Sequence, residues 1–434
     1  MRKTVLLVIV CLFTFLVACD GMSNGSDGDG DSEKEAYTVS FFDGDILISS
    51  QSANIGSVVI LESRIKSGFT FGGWQINGFG KIYNNSFIVT GNVELHARWL
   101  EGDWIKISAH TELYNISNDL SAKYILVADI NLSDIANWEL TGNFTGEFDG
   151  NGYKIINLKS NRSGLFGNVS GGIISNVALE NVNLNCGSSA GGIANQVSGG
   201  IITNSYTAGN INASSNSTAY SGGIAGYVDN SKIINSYCSG NINASSTYSP
   251  SSDFFSSVYA YSGGIVGYIS GGEITNSYST GNISAYTNRH ALSYAYSGGI
   301  AGRMSENIIR NSYSAGDITS SSGNSSVSGG ITGRMSGNSA IINCVAANSV
   351  ISGTSGYITN IGRIVASIDS YSALLFDNLA SDIITGSFTD RLYNDGTTVS
   401  QAELEIPSTY TGINWNFADV WKMSVGNYPI FQWQ

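Results

Sequence analysis

The sequence contains few charged residues, few prolines and no basic cluster. Only 12% of the 434 residues are Asp, Glu, Lys or Arg, and the net charge is −13. No group of Lys and Arg follows position 3, so the basic stripe that nucleic-acid binding needs is missing. Sparse charge beside 53 glycines and abundant Ser, Asn and Tyr is typical of an extracellular all-β array rather than a cytosolic enzyme. We therefore expect no nucleic-acid partner.

Catalytic and metal-binding motifs are also missing. The 3 histidines, His96, His110 and His290, lie in separate segments and lack the spacing of metal ligands. His-Glu-x-x-His does not occur, and Gly-x-Ser-x-Gly occurs only at residues 21–25, in the polar N-terminal linker, and at residues 187–191, within the repeats, where no helical pattern follows to make the strand-to-helix turn of a nucleophile elbow. The acidic residues of the repeated region do not share a repeat position: Glu180, Asp229, Asp253, Glu273, Glu306 and Asp317. We predict that the chain is not an enzyme and has no metal or cofactor, although stacked coils could still pair two carboxylates.

Cysteine is scarce beyond the N-terminal segment. Cys186, Cys238 and Cys344 either differ in repeat position or lie several coils apart, which is unsuited to disulfide geometry. We expect them to be buried thiols that pack as small apolar side chains.

The middle of the chain repeats one short phrase. The copy Ser-Gly-Gly-Ile-Ala-Gly begins at Ser221, and similar copies follow it at constant internal spacing. The second Gly precedes an Asn by the same distance in four copies: Gly192 and Asn204, Gly223 and Asn235, Gly264 and Asn276, Gly299 and Asn311. A constant block joined by spacers of variable length indicates a stacked repeat.

The constant block predicts a right-handed parallel β-helix, an all-β fold. It has no apolar spacing of helical period, and short apolar strands are broken by Gly and Asn. Stacked coils would align equivalent side chains about 4.8 Å apart. Three ladders follow from this register: Ile193, Ile224, Ile265, Ile300 and Ile331; Asn204, Asn235, Asn276, Asn311 and Asn343; Tyr206, Tyr237, Tyr278 and Tyr313. The Gly pairs are expected at tight turns or positive φ.

The repeat resembles the GLUG motif, which residues 164–167 spell as Gly-Leu-Phe-Gly. The later Gly-Ile-x-Gly copies are similar, and the resemblance covers about half of the chain, residues 164–370. This motif occurs in arrays on bacterial surface proteins, including adhesin-like proteins and some large surface proteases. The resemblance implies a β-helix on an exported protein and implies no activity.

The N-terminus has the pattern of an exported lipoprotein. Basic Arg2 and Lys3 precede an apolar run too short to span a membrane, which predicts a signal peptide over residues 1–18. The ending Leu-Val-Ala-Cys resembles a bacterial lipobox, which implies lipid attachment at Cys19. Residues 19–36 are then a flexible tether, and we expect anchoring at the bacterial cell surface, with the outer membrane favoured.

Residues 37–100 form a predicted small module before the repeats. The stretches 68–74 and 89–99 resemble the Listeria–Bacteroides repeat, also known as the internalin B-type repeat, which implies a compact β-grasp-like unit. Trp74 and Trp99 are expected to fill its core. Residues 101–163 should form an N-terminal cap and the first coils. Asp149-Gly-Asn-Gly within them is interpreted as a turn, with a cation site at Asp149 and Asn151 as the alternative.

Residues 371–434 are predicted to be a C-terminal cap that covers the last coil. Variable inserts leave each repeat at the same point, so they should project from one side. Their aromatic residues are the candidate ligand face: Tyr220, Tyr248, Phe254, Phe255, Tyr259, Tyr261, Tyr294 and Tyr296. Such side chains suit sugar or protein contact, but they could also pack only on each other.

These features favour a lipid-anchored surface protein that acts as an adhesin and binds a glycan or a protein of a host or neighbouring cell. One alternative is a passive spacer on the surface. Another is an enzyme that acts on polysaccharides.

Overall fold

The computed structural model describes residues 36–434 except 79, 248–256, 289–291, 371, 387, 389–394 and 425. The predicted signal peptide, Cys19 and nearly all of the tether lie outside the described residues. No helix within the described part is both long and apolar enough to span a membrane.

The N-terminal module consists of short strands with one aromatic core. Its strands are β1 (Ala36–Asp43), β2 (Ile46–Asn54), β3 (Val58–Ile60), β4 (Phe69–Ile76), β5 (Ile82–Tyr83), β6 (Ser86–Ile88) and β7 (Val93–Glu101). A 5-stranded sheet has the order β2-β1-β7-β4-β5. Trp74 is 2% exposed in the core, as expected. Trp99, in contrast, is half-buried at the surface, where its Nε1 donates to Asp43 at 2.9 Å and Lys66 covers its ring.

The first coils follow directly. They contain β8 (Ile105–Ile107), α1 (His110–Tyr114), a 3₁₀ turn (Asn115–Asn118), β9 (Lys123–Leu126), β10 (Ile130–Asn131), β11 (Asn143–Phe144), β12 (Glu147–Asp149), β13 (Lys154–Ile156), β14 (Lys159–Ser160), β15 (Phe166–Ser170), β16 (Ile173–Ser175), β17 (Ala178–Cys186), β18 (Ser189–Gly191), β19 (Ala194–Ser198) and β20 (Ile201–Thr203). Their core is rich in aromatic side chains such as Phe144, Phe148 and Phe166.

The regular repeats continue the same stack. Their strands are β21 (Tyr206–Ser215), β22 (Thr218–Gly222), β23 (Ala225–Ile234), β24 (Tyr237–Cys238), β25 (Ile242–Ser246), β26 (Val258–Gly263), β27 (Val266–Thr275), β28 (Tyr278–Ser279), β29 (Ile283–Thr287), β30 (Ser293–Gly298), β31 (Ala301–Arg310), β32 (Tyr313–Ser314), β33 (Ile318–Ser322), β34 (Ser325–Gly329), β35 (Thr332–Ser336), β36 (Ala340–Ile342), β37 (Val345–Ala346), β38 (Ile351–Ser355), β39 (Ile358–Gly362), β40 (Val365–Ile368), β41 (Leu374–Phe376), β42 (Leu379–Ser381) and β43 (Thr397–Val399).

These strands form three long sheets along the stack. The first face contains β23, β27 and β31; the second contains β21, β25 and β29; the third contains β22, β26 and β30. Neighbouring coils pair in parallel on each face. The predicted all-β class and parallel β-helix are therefore confirmed.

The isoleucine ladder fills the core as predicted. All 5 members are 0% exposed: Ile193, Ile224, Ile265, Ile300 and Ile331. Successive members are joined through their backbones, since Ile224 N donates to Ile265 O at 2.9 Å and Ile265 N donates to Ile300 O at 3.0 Å. Each buried isoleucine contributes roughly 1.5–3 kcal/mol, so the stack gains stability with every coil.

The asparagine ladder turns the chain between the first and second faces. Asn235 Nδ2 donates to Asn204 Oδ1 at 3.1 Å, and Asn276 Nδ2 donates to Asn235 Oδ1 at 3.0 Å. These asparagines have positive φ, for example 48° at Asn276. The Gly pairs were expected at tight turns or positive φ, but Gly264 has an ordinary φ. A Cβ there would lie 2.2 Å from Gly299 O, so close packing between coils requires this glycine.

The three cysteines are buried and free, as the spacing predicts. Burial raises the pKa of both Cys238 and Cys344 to about 12, so these thiols are inert packing groups.

The C-terminal tail lies along the side of the β-helix. It contains a 3₁₀ turn (Glu403–Glu405), α2 (Pro407–Thr411), β44 (Trp421–Lys422) and β45 (Ile430–Phe431). Its aromatic side chains pack on the second-face tyrosine row, which we define as Tyr206, Tyr237, Tyr278 and Tyr313. Rings of that row stack 4.7–4.8 Å apart. Residues 371–434 were expected to cover the last coil; β41, β42 and β43 pair there with the last repeat strands, whereas the segment from Glu403 onward packs on the side of the stack.

Candidate functional site

A second row of stacked tyrosines runs along the third face. Tyr220, Tyr261 and Tyr296 occupy equivalent positions on β22, β26 and β30. Their ring centroids are 5.3 and 5.2 Å apart and their planes are nearly parallel. The alternating residues Ala219 and Ala260 point to the core, which turns the tyrosines outward. We name Tyr220, Tyr261 and Tyr296 the third-face tyrosine row.

A neighbouring row lies on the first face, across the corner of the coil. It consists of Tyr227, Tyr268, Arg303 and Arg334, which are aligned from coil to coil on β23, β27, β31 and β35. Tyr227 contacts the edge of Tyr268 at 5.4 Å. The four side chains are half-buried, so each has one side against the protein and one side exposed to solvent.

The two rows are linked through the arginines. Arg334 donates to the Tyr296 hydroxyl at 2.6 Å, lies 5.4 Å from that ring and pairs with Asp369. Arg303 lies 5.2 Å from the Tyr268 ring, and its Nη1 is 3.5 Å from the Tyr261 hydroxyl. Cations over aromatic faces are attracted by the ring quadrupole. We name the two rows together the tyrosine–arginine face.

Arg303 is the chemically unusual member of this face. Its Nε is buried without a hydrogen-bond partner in the part of the chain that the structure describes. It also has no carboxylate within salt-bridge distance among the described residues, whereas Arg334 has Asp369. Burial raises the pKa of Tyr261, so the nearby phenol stays neutral and does not balance the guanidinium. Arg303 therefore carries a positive charge that no described carboxylate neutralises, together with a buried donor that has no partner within the described residues.

The predicted ligand residues are divided by the structure. Tyr261 is 4% and Tyr296 is 2% exposed, while Tyr220, Tyr259 and Tyr294 are half-buried. Tyr248, Phe254 and Phe255 lie outside the described residues. Tyr259 stacks on Tyr294 at 5.1 Å, so these described rings pack on each other. Their role in binding stays a prediction.

Sequence reasoning missed Tyr227, Tyr268, Arg303 and Arg334. A signal was present, because each of the four follows the second Gly of its repeat by the same number of residues. Aligning the repeats and comparing the residues at each outward-facing position, rather than only the inserts, would have found this row.

The alternative cation site at Asp149 is occupied by a side chain. Asp149 is 1% exposed and pairs with the Arg98 guanidinium of the module. It also accepts hydrogen bonds from the Ser175 hydroxyl and the Asn176 amide, both at 3.0 Å. The described residues contain no group of three potential metal-ligating side chains.

Two family models match parts of the chain. Residues 109–209 match the N-terminal region of the M26 IgA1-specific metallo-endopeptidases. Residues 259–284 match the GLUG motif, which confirms that part of the predicted resemblance. The resemblance of the module to the Listeria–Bacteroides repeat stays a prediction. No curated protein matches this chain.

Two solved structures are similar in outline. One is a putative immunoglobulin A1 protease from Bacteroides ovatus, with 21% identity, a TM-score of 0.48, and coverage of 76% of this chain and 93% of that one. Another is described as an IgA1 protease, with 13% identity, a TM-score of 0.39, and coverage of 81% of this chain and 25% of that one. At these TM-scores, we draw no functional conclusion from either similarity.

The family match corrects one prediction. The chain was expected not to be an enzyme, but its first coils match a region of a peptidase family. The matched region is N-terminal in that family, which explains why catalytic motifs gave no sign of the relationship.

Proposed function

We propose that the chain is an exported, lipid-anchored surface protein whose β-helix binds a protein ligand through the tyrosine–arginine face. The observation that carries the proposal is the half-buried Arg303, which lies among tyrosines and has no carboxylate partner within the described residues. A β-helix is built on its inward ladders, and although stacked outward tyrosines add some stability, the arginines that follow them in the first-face row are not needed to form the coil.

The composition of the face favours a protein over a sugar as ligand. Tyr and Arg are enriched in protein interfaces and in their energetic hot spots. Flat sugars stack on ring faces, but here the faces of Tyr261 and Tyr296 are already used in ring stacking. The half-buried guanidinium of Arg303 carries a charge that no described carboxylate neutralises, which suits a carboxylate of a protein ligand.

The peptidase family match suggests which protein to test first. That family is described as specific for IgA1, so immunoglobulin A1 is the first candidate ligand. The chain would then hold its ligand at the cell surface, as a binding region associated with proteolysis. Anchoring through Cys19 would keep the bound ligand near the membrane.

The test displays the full chain on bacterial cells and measures the binding of purified immunoglobulin A1 by flow cytometry. Replacing Arg303 by Gln should weaken binding about tenfold, because it removes a charge-assisted hydrogen bond. Arg162→Gln is the matched control, since Arg162 is exposed and lies away from this face. Replacing Cys19 by Ser should release the protein from the membrane fraction.

Equal binding by the wild type and Arg303→Gln would contradict the role of the face. Cleavage of the immunoglobulin during the assay would show that the chain is itself a peptidase. Absence of any binding to immunoglobulin A1, followed by failure to bind other secreted host proteins, would favour the passive spacer.

A further inference from the structure

A cavity of about 260 Å³ lies where three separate parts of the chain meet. The module contributes Lys81, the first coils contribute Asn176 and Asn204, and the tail contributes Trp433. Binding sites for small ligands often occur at such junctions between structural units, and this volume is just below their usual range of about 300–1,000 Å³. The space suits a single small unit rather than a long chain.

The walls of the cavity are held in place by contacts between these parts. Arg98 of the module pairs with the buried Asp149, and Asn84 Nδ2 donates to Asn151 O at 2.6 Å. On the other side, the Trp433 ring lies 5.8 Å from the Tyr237 ring. The site is therefore formed before a ligand arrives, which lowers the entropic cost of binding.

Two side chains of the cavity have unused hydrogen-bonding groups. Trp433 Nε1 is buried and has no partner among the described residues. Asn204 accepts a bond from Asn235 through Oδ1, and within the described ranges no acceptor lies opposite its Nδ2. A buried donor without an acceptor, as at Trp433 Nε1, is unfavourable, and a ligand that offers oxygen atoms could pair with it and with the half-buried Asn204 Nδ2.

Two lysines, Lys81 and Lys154, line the cavity, and two acids, Glu180 and Asp129, lie near its Tyr206 wall, in a chain whose net charge is −13. Lys81 has no carboxylate partner within the described residues. It lies close enough to Lys422 for the two positive charges to repel each other. Burial lowers the pKa of Lys422, and the nearby Lys81 lowers it further. The acid Glu180 is already engaged by Lys154 at 2.9 Å and by the Tyr206 hydroxyl at 2.8 Å.

We propose that this cavity binds one sugar unit that carries a carboxylate. Lys81 would hold the carboxylate, Asn204 Nδ2 and Trp433 Nε1 would donate to ring oxygens and hydroxyls, and the Trp433 ring would contact the apolar side of the sugar. This site is separate from the tyrosine–arginine face and does not depend on the function proposed for that face.

The experiment titrates the full chain in detergent with glucuronic acid, and with glucose as the neutral counterpart, by isothermal titration calorimetry. Glucuronic acid should bind about tenfold more tightly than glucose because only the acid reaches Lys81 with a charge. Lys81→Gln should remove that difference. Lys232→Gln is the matched control, because Lys232 is also exposed but does not line the cavity.

A second variant tests the unused donor. Trp433→Phe keeps an aromatic ring and removes the indole N–H, so it should lower the affinity for both sugars by a similar factor. Thermal unfolding of each variant checks that the tail still packs. The proposal is overturned if the chain does not bind glucuronic acid, if both sugars bind equally well, or if Lys81→Gln binds like the wild type.

Discussion

The β-helix has two rows of stacked tyrosines, and the rows differ in what covers them. The C-terminal tail packs on the second-face row, where Tyr278 and Tyr313 are 4% and 1% exposed. No described segment from elsewhere in the chain lies on the third-face row, which is screened only by adjacent side chains such as Tyr259 and Arg303. Similar stacks of the same side chain are therefore covered by a distant segment on one face and by neighbouring side chains on another, although Tyr261 and Tyr296 are themselves only 4% and 2% exposed.

The geometry of the two rows shows why stacking alone does not indicate function. Neighbouring rings are 4.7–4.8 Å apart on the second face and 5.2–5.3 Å apart on the third. Aromatic pairs of this kind contribute about 0.5–1.5 kcal/mol beyond their buried area, so both rows stabilise the coil stack. The rows differ in what covers them: the C-terminal tail covers the second-face row, and adjacent side chains cover the third-face row.

The largest expected effect on the free energy of unfolding comes from removing the aromatic ring of Trp421 in the tail. Trp421 is 0% exposed and packs on both Tyr278 and Tyr313. Trp421→Ala should lower the free energy of unfolding by about 3–5 kcal/mol, because it leaves a cavity between tail and coil. Tyr268→Ala on the tyrosine–arginine face should cost about 1 kcal/mol or less, because Tyr268 is already partly solvated. Chemical denaturation measures both values, and equal losses would contradict the comparison.

Alkaline pH should loosen the tail. Burial raises the pKa of Tyr237 to about 12 from its usual value of 10.0, and it raises the pKa of Tyr278 as well. The unfolded chain loses these protons first, so stability is constant below about pH 10 and falls between about pH 10 and about pH 12. The unfolding midpoint should follow this course, and Tyr237→Phe should make the fall shallower. A midpoint that did not change over this interval would show that the row is solvated.

The smallest expected difference concerns single hydroxyls. The Tyr278 hydroxyl is bonded to the side chain of Gln434 at 2.8–3.0 Å. Tyr278→Phe should therefore cost about 1 kcal/mol in denaturant unfolding, the typical value of one hydrogen bond. Tyr220→Phe on the third face should have almost no effect, because no described group bonds its hydroxyl. If Tyr220→Phe lowered the free energy of unfolding as much as Tyr278→Phe, the Tyr220 hydroxyl would have a hydrogen-bond partner outside the described residues.

Much of the fold could be predicted because the repeat is local and periodic. A fixed distance from Gly to Asn and from Asn to Ile sets which side chains of successive coils coincide, and the ladders at Ile224, Asn235 and Tyr237 follow from it. The candidate site was predicted only in part. Attention to the inserts found Tyr259 and Tyr261 but missed Arg303, whose unusual state depends on the absence of a nearby acid among the described residues.

The sequence alone determined the coil, because each rung repeats the same short pattern and parallel pairing needs only the next rung. Only the tertiary structure decided what lies outside the coil. Gln434 contacts Tyr278 across 156 residues of chain, and Arg98 finds Asp149 across 51. Contacts at such separations have no periodic signature, because they depend on which surfaces remain unburied once the stack has formed.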